Sequence, residues 1–588
     1  MTRLYNDPSD FADEMIDGFV AANRRFVRRV QGGVVRSTVS APGSVALVVG
    51  GGSGHYPAFG GLVGQGLAHG AAMGNLFASP SAQQVHAVAT AAEHGGGVLL
   101  SYGNYAGDVL NFDAAERRLR DEGIDVRTVT VTDDVSSASV AEKHKRRGIA
   151  GDLTVFKVAG AAAEEGASLD EVERIARLAN ERTRSFGVAF SGCSLPGASE
   201  PLFTVPEGRM AVGMGIHGEP GIREDDVPTA DGLAELLVSS LLAELPDGVD
   251  AAEGSRLVVV LNGLGSVKYE ELFVVYAGVE RRLRERGLEV LEPEVGELVT
   301  SFDMAGVSLT FFWVDDELER LWAAPAEAPA YRKGSVHPAE QAAVTEQETA
   351  AVVIGEASDD SRAAARTVLA ALEATQSAID ENADELGRID AVAGDGDHGI
   401  GMQRGVHAAV AAARAALEAG AGAGTVLAHA GDAWSDRAGG TSGALWGAAL
   451  AAVGSALGDT AAPTAAAMVE GVDGARAAIL HFGATPGDKT MVDSLVPFAD
   501  VLAEAVAAGE ELPAAWTRAA EACTTAAAAT AQLLPRMGRA RPHAEKSLGT
   551  PDAGAHSLGL IVAAIGAVLR AGDDAPDSGA SGSVGTDA

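Results

Sequence analysis

The sequence predicts an α/β region in its first half followed by an all-α domain. Three observations carry this. Short β-branched runs alternate with helical segments up to about Ala323. The stretch "AAPAEAPAYRKGSVHPAEQ" that follows has no periodicity. Beyond about 356 the chain is rich in alanine, helical in spacing and without a clear strand. At 588 residues the chain is too long for one core and suggests two to four domains.

The predicted strands are "SVALVVG" (Ser44 to Gly50), "GGVLLSYG" (Gly96 to Gly103), "VRTVTV" (Val126 to Val131), "GVAFSG" (Gly187 to Gly192) and "RLVVVLNG" (Arg256 to Gly263). Several run straight into glycine-bearing loops, and ligands of open α/β sheets bind at the carboxyl ends of strands. Among the helices, "SLDEVERIARLANERT" opens with a capping box of Ser168 and Glu171. Its Leu169, Val172, Ile175, Ala176 and Ala179 fall on one face. In "RTVLAALEATQSAIDENADEL", Val368, Leu372, Thr375, Ile379, Ala383 and Leu386 keep helical spacing. The expected boundaries are an α/β domain over 5–325, a linker over 326–355, an all-α domain over 356–572 and a disordered acidic tail over 573–588.

The formal net charge of -37 argues against nucleic acid and anionic membranes as partners, and an anionic substrate then needs a metal or a local positive site. Two distant cysteines, Cys193 and Cys523, give no disulfide framework and fit a reducing compartment. No apolar leader and no run of about 18 apolar residues is evident, so a cytoplasmic protein without a membrane span is expected.

The strongest local signal is "DAVAGDGDHG", in which Asp390, Asp395 and Asp397 surround two glycines. Hard carboxylates beside glycines suit Mg²⁺, which takes one or two of them and leaves its other positions to phosphate oxygens and water. The bland alternative is a solvated acidic loop. "GGTSGALWG" (Gly439 to Gly447) opens an apolar helix, where free N–H groups form a phosphate seat. "PGDKTMVDSLVP" places Asp488, Lys489, Thr490 and Asp493 around another helix start, and no P-loop motif occurs. In the first half His55 in "GGGSGHYP", Asp108 in "SYGNYAGDVLNF" and His217 in "GMGIHGEPG" each stand in a glycine-bearing loop. Histidine can serve as base or as nucleophile towards a carbonyl, and Asp can take a proton from a hydroxyl. Metal binding competes as a reading, but no third ligand stands at a regular spacing.

Together these motifs resemble the fused, ATP-dependent dihydroxyacetone kinases, over about residues 5 to 572 and in the same order. "GGGSGH", "NYAGDVLNF", "FKVAGAAAEEGASL", "GIHGEPGI" and "LNGLGS" resemble the ketose-binding part. "GDGDHG", "GGTSGALWG", "GDKTMVDSLVP" and "SLGTPDAGAHS" resemble the nucleotide part. The resemblance implies two α/β subdomains followed by a helical-barrel nucleotide domain. It implies a ketose held as a hemiaminal on His217, with His55 and Asp108 on the substrate hydroxyls and Asp108 as base. Gly52, Ser53, Gly54 and Gly103 then line the substrate. Asp390, Asp395 and Asp397 bind Mg²⁺, and Ser442, Gly443, Met491 and Asp552 lie by the ATP. A homodimer is implied as well.

The chain departs from the family pattern at Tyr56 and Phe59 after His55, at Gly103, where a lysine is common, and in "GRARPHAEKSLG". A missing side chain at 103 opens room, so a four-carbon ketose such as erythrulose is expected, with dihydroxyacetone as the alternative substrate. A phosphotransferase-system relay is the rival reading, disfavoured because both domains share one chain. A ketose-binding regulator without catalysis is another, disfavoured by the intact aspartates. No residue bears on lyase action on FAD.

Overall fold

The computed structural model describes residues 4–198, 200–219, 221–337, 339–342, 354–392, 394, 396–536 and 546–573. The chain divides into two compact units, residues 1–349 with 439–444, and residues 350–438 with 445–588.

The first unit contains two large sheets, the two α/β subdomains expected, and a two-stranded ribbon. The first sheet is built from β1 (Val27–Val30), β2 (Gly33–Arg36), β3 (Ala46–Ser53), β4 (Gly70–Leu76), β5 (Val98–Gly103) and β6 (Val126–Val131), in the order β1-β2-β4-β3-β5-β6. Strand β3 runs parallel to β4 on one side and to β5 on the other. The strand order therefore reverses at β3, the place where ligands of open α/β sheets bind. Every residue of β3 and β5 is buried, as a strand covered on both faces requires.

The second sheet holds β7 (Thr183–Ala189), β8 (Arg209–Val212), β9 (Arg223–Asp226), β10 (Arg256–Gly263), β11 (Glu289–Val290), β12 (Glu294–Gly296) and β13 (Gly306–Trp313). It is mostly antiparallel: β10 pairs β13, and β13 pairs β7, in opposite directions. Strand β7 starts four residues before the expected Gly187 and stops at Ala189, because its partner β13 spans Gly306–Trp313 and pairs that whole length.

Helix Leu169–Glu181 buries the five residues expected, and Ser168 caps it by accepting from Glu171 N–H. The reciprocal half of the capping box is replaced: the Glu171 carboxylate pairs with Arg174, which also reaches Glu317. Residues 326 to 333, expected within a linker, form a ribbon of β14 (Ala326–Glu327) and β15 (Arg332–Lys333). Tyr331 is buried there and donates to Glu294, so apolar contact and a hydrogen bond order a segment whose Pro/Ala composition reads as loose. Both cysteines are free and buried, and burial pushes each thiol up to about 12.

The second unit has eight α-helices and no strand among the described residues, from Asp359–Asp390 to Ala553–Asp573. Neighbours in sequence pack side by side, and the last helix packs on the first, which closes the ring. Its core includes Leu372, Ile379, Leu386, Met402, Val406 and Trp434. Helices Ala423–Ala438 and Gly440–Leu457 meet through glycines. A Cβ on Gly454 would stand 2.7 Å from the carbonyl of Gly424, and one on Gly447 3.1 Å from that of Gly431. By length and composition alone, Gly440–Leu457 and Ala553–Ala571 are apolar enough to cross a membrane, with mean hydropathies of 1.2 and 1.6. Alanine lifts these averages without an unbroken run of large apolar residues, which is why the sequence did not suggest them. The expected tail at 573–588 lies, after Asp573, outside the described residues.

Candidate active site

His55 follows strand β3 through Gly54, whose φ of +104° only glycine adopts readily. The His55 ring is buried, and its Nδ1 lies 2.8 Å from the carbonyl oxygen of Thr300. A carbonyl only accepts, so Nδ1 carries the proton. Burial first, and His217 second, lower the His55 pKa to about 3, so the ring is neutral and Nε2 is an acceptor. That Nε2 is 2.9 Å from Nε2 of His217. The proton between them therefore belongs to His217. Phe77 stacks on His55 with centroids 5.0 Å apart, and Tyr105 meets the His217 ring edge-on at 4.3 Å.

On its other side, Nδ1 of His217 lies 3.4 Å from Oε1 of Glu219, whose Oε2 accepts from the His217 backbone N–H at 2.9 Å. Burial alone would raise the Glu219 carboxyl. Arg147, 3.7 Å away, and His217 outweigh it and hold the group well below the ordinary carboxylate range. Arg147 is fixed in turn by Asp134 at 2.7 Å. A carboxylate thus stands where a proton on Nδ1 would be held, and a neutral imidazole faces Nε2.

Asp108 is buried in the first turn of helix Ala106–Asp121, whose N-cap is Tyr105, the ring that touches His217. Gly103 ends β5. A Cβ there would stand 3.2 Å from the Tyr105 ring and 3.4 Å from Cα of Gly148. The room expected at 103 is therefore taken up by Tyr105, whose hydroxyl donates to Gly148 O at 2.8 Å. The glycines before His55 have protein neighbours too. Added Cβ atoms would reach Phe59 at 2.5 Å from Gly51, the Phe77–Ala78 backbone at 2.7 Å from Gly52 and the Phe77 ring at 2.9 Å from Gly54. Packing against Phe59, Phe77 and Ala78 by itself calls for glycine at these positions. The Ser53 hydroxyl donates to Gly74 O at 2.6 Å. Of the two aromatic departures, Phe59 sits edge-on to His55 at 6.4 Å, whereas Tyr56 is half exposed and turns to Phe19.

In the second unit a cleft is lined by Asp390, Gly394, Lys489, Ser547, Thr550 and Asp552, among others. Asp390 ends the first helix of the ring and accepts from Gly396 N–H at 2.9 Å. Asp397 precedes helix His398–Glu418; desolvation and then the charge of Asp390 push its carboxyl up to about 6. Asp552 caps the last helix by accepting from Ala555 N–H at 2.7 Å, and burial pushes it up to about 7, helped by Asp390 and Asp493. Met491 lies beside it, since a Cβ on Gly554 would touch both. Lys489 donates to Ser547, while Asp488 and Asp493 accept from nearby backbone N–H groups and so build the turn. Ser442 and Gly443 stand in the first turn of helix Gly440–Leu457 and do not line this cleft. Asp395 lies outside the described residues. Among the described residues no set of three His, Cys, Asp or Glu groups stands as a complete metal cage. Asp390 and Asp397 nonetheless fit Mg²⁺, which needs only one or two carboxylates and whose charge relieves their repulsion.

Glu219, Arg147, Thr300, Phe77 and Tyr105 were not singled out from the sequence. Glu219 stands two residues after His217 within "GIHGEPG" and was within reach of such reasoning. Thr300 is 245 residues from His55 and gave no signal.

Residues 17–330 match the Dak1 domain and residues 392–567 the DAK2 domain. A two-module enzyme of the kinase class is what this pair of domains defines. The chain belongs to the fused dihydroxyacetone kinase family. It is 62% identical over 571 residues to an L-erythrulose kinase of Pectobacterium atrosepticum, covering 97% of each chain. It is 55% identical over 570 residues to a D-erythrulose kinase of Mycolicibacterium smegmatis, covering 95% of this chain and 97% of that one. The crystal structure of the dihydroxyacetone kinase from C. freundii in complex with AMP-PNP and Mg2+ matches with a TM-score of 0.51 and 29% identity, over 96% of this chain and 99% of that chain.

Proposed function

We propose that the protein uses ATP and Mg²⁺ to phosphorylate a terminal hydroxyl of a short-chain ketose, with erythrulose preferred and dihydroxyacetone accepted. The observation that supports this best is the 2.9 Å contact between Nε2 of His55 and Nε2 of His217, with Glu219 behind the second ring. The ketose enters between the imidazoles. His217 gives its Nε2 proton to His55, and its freed lone pair adds to the carbonyl carbon. The C=O π pair moves to oxygen, which takes the proton that His55 received. The proton that leaves Nε2 ends on the substrate oxygen, so the alkylated ring ends neutral, with Glu219 beside its Nδ1 edge. His55 suits the relay because its low basicity makes it pass the proton on. Glycerol, lacking a carbonyl, cannot form this bond.

Asp108 then accepts the proton of the terminal hydroxyl while the γ-phosphorus bonds to that oxygen and separates from ADP. In the second unit Asp390 and Asp397, with Asp395, would hold Mg²⁺. When bound, the ion neutralises phosphate charge, the main task in phosphoryl transfer. Met491 and Asp552 lie by the nucleotide. The main-chain N–H groups of Gly52, Ser53 and Gly54, and the Gly103 strand end, face the ketose. We place the enzyme in the cytoplasm, as a homodimer, with no nucleic-acid or membrane partner.

A panel of dihydroxyacetone, D- and L-erythrulose, glyceraldehyde and glycerol, read by ADP release from purified protein with ATP alone, tests the reading. One erythrulose enantiomer should show the highest kcat/KM and glycerol none. Turnover of glycerol, or none without an added phosphocarrier protein, would overturn it.

A further inference from the structure

Arg147 stands at the far end of the charges behind His217, and the mechanism above does not use it. Its place is fixed at several points. The backbone N–H donates to Ser137 Oγ at 3.1 Å, and the carbonyl accepts from Asp134 N–H at 3.1 Å. Nε and Nη2 both donate to Asp134 Oδ2, at 3.1 and 2.7 Å. The other oxygen of Asp134 is held by Ser136, through its N–H at 2.9 Å and its hydroxyl at 2.6 Å. A guanidinium anchored along one edge presents its remaining nitrogen in a set direction. That nitrogen, Nη1, lies 3.7 Å from Oε2 of Glu219. Gly215 leaves the gap in which they meet, since a Cβ there would stand 2.4 Å from Oε2 and 3.0 Å from Nη1. Oε2 thus faces Arg147 Nη1 and accepts from the His217 N–H at 2.9 Å, and the oxygen left over, Oε1, is the one 3.4 Å from Nδ1 of His217.

We infer that Arg147 is a positioning residue for the covalent step. By holding Oε2 of Glu219 it keeps Oε1 aimed at the Nδ1 edge of His217, and a negative charge there makes Nε2 the better electron donor towards a carbonyl carbon. The inference rests on the ketose-kinase reading and adds a residue that acts only through Glu219. The side chains of Arg147 and Glu219 are 17% and 18% exposed, so water screens their attraction only in part. Burial alone would raise the Glu219 carboxyl, and Arg147 is the largest influence against it. Without Arg147 the carboxylate turns about its last bond or takes up a proton, and either change removes the charge from Nδ1.

The test is a double-mutant cycle on kcat/KM for the preferred erythrulose enantiomer, with wild type, Arg147→Gln, Glu219→Gln and the pair, and with Tm and the KM for ATP measured alongside. R147Q should lower kcat/KM by about tenfold, no more than E219Q does, and leave the KM for ATP unchanged. The pair should stay within about threefold of E219Q alone, because with no charge at 219 there is nothing for Arg147 to hold. R147Q leaves the buried Asp134 opposite a neutral side chain, so the cycle is repeated with Arg147→Lys. Lysine keeps a cation on Asp134 and with it the wild-type Tm, but its single nitrogen cannot serve two carboxylates, and kcat/KM should fall as in R147Q. Losses that multiply in the pair, wild-type kcat/KM in R147K, or a wild-type E219Q would leave Arg147 a structural residue and overturn the inference while sparing the ketose-kinase reading. A wild type that phosphorylates no ketose would remove both.

Discussion

The two candidate sites solve the problem of charge in opposite ways. In the first unit the groups answer one another: Thr300 holds His55, His55 accepts from His217, and Arg147 and His217 stabilise Glu219. In the second, Asp390, Asp397 and Asp552 stand near one another and burial raises the last two, with Lys489 only a weak counterweight. A site of paired donors and acceptors is organised for a neutral substrate and a directed bond. A site of crowded carboxylates is organised for a cation and the phosphates it brings.

The sharpest way to break this contrast is His217→Ala. Removing the nucleophile should lower kcat/KM for the ketose by at least about a thousandfold. Nucleotide affinity, measured by calorimetry, should not change. Normal ketose affinity in the variant would refute the covalent role. Next in size is Asp397→Asn, which should cut kcat on the order of a hundredfold or more while ketose binding survives. Activity that persists in this variant, or in EDTA, would dissolve the distinction between the sites. Glu219→Gln is smaller. Gln leaves the ring in place but removes the charge facing Nδ1, and kcat/KM should fall about ten- to a hundredfold, with less adduct seen by mass spectrometry.

The smallest effect is on stability against pH. The folded-state pKa of His55 is about 3 against about 6.5 unfolded, so the unfolded chain takes up a proton that the folded one refuses. Its contribution is complete above 6.5 and is lost as pH falls from there towards 3. The Tm of wild type should therefore drop faster than that of His55→Gln over that interval; parallel curves would show that His55 is not held neutral.

How much of this was legible in the sequence follows from the range of the forces involved. Strand β6 was read to the residue, and the buried face of helix Leu169–Glu181 in full, because periodicity is local. The reversal of strand order at β3 was not, since pairing β3 with both β4 and β5 depends on contacts far apart in sequence. His55 and His217 were legible as separate loops, but not their tautomers: Thr300 fixes that of His55, and the accepting Nε2 of His55 places the shared proton on His217. The ribbon at 326–333 was misread because composition reports average solvation, whereas Tyr331 is ordered by Glu294 across the chain. The glycines near His55 were given to the ligand, while Phe59 and Phe77 occupy the space they leave.

In the proposed mechanism the bond between the two imidazoles would also act as a chemical safety catch. In the absence of ketose, the lone pair that His217 would use is tied up in an N–H directed at His55. Stray aldehydes and other electrophiles meet a capped nitrogen rather than an open one. A ketose that enters between the rings would have to break this bond before its carbonyl met a free lone pair, so the proposed nucleophile would stay capped until substrate arrived.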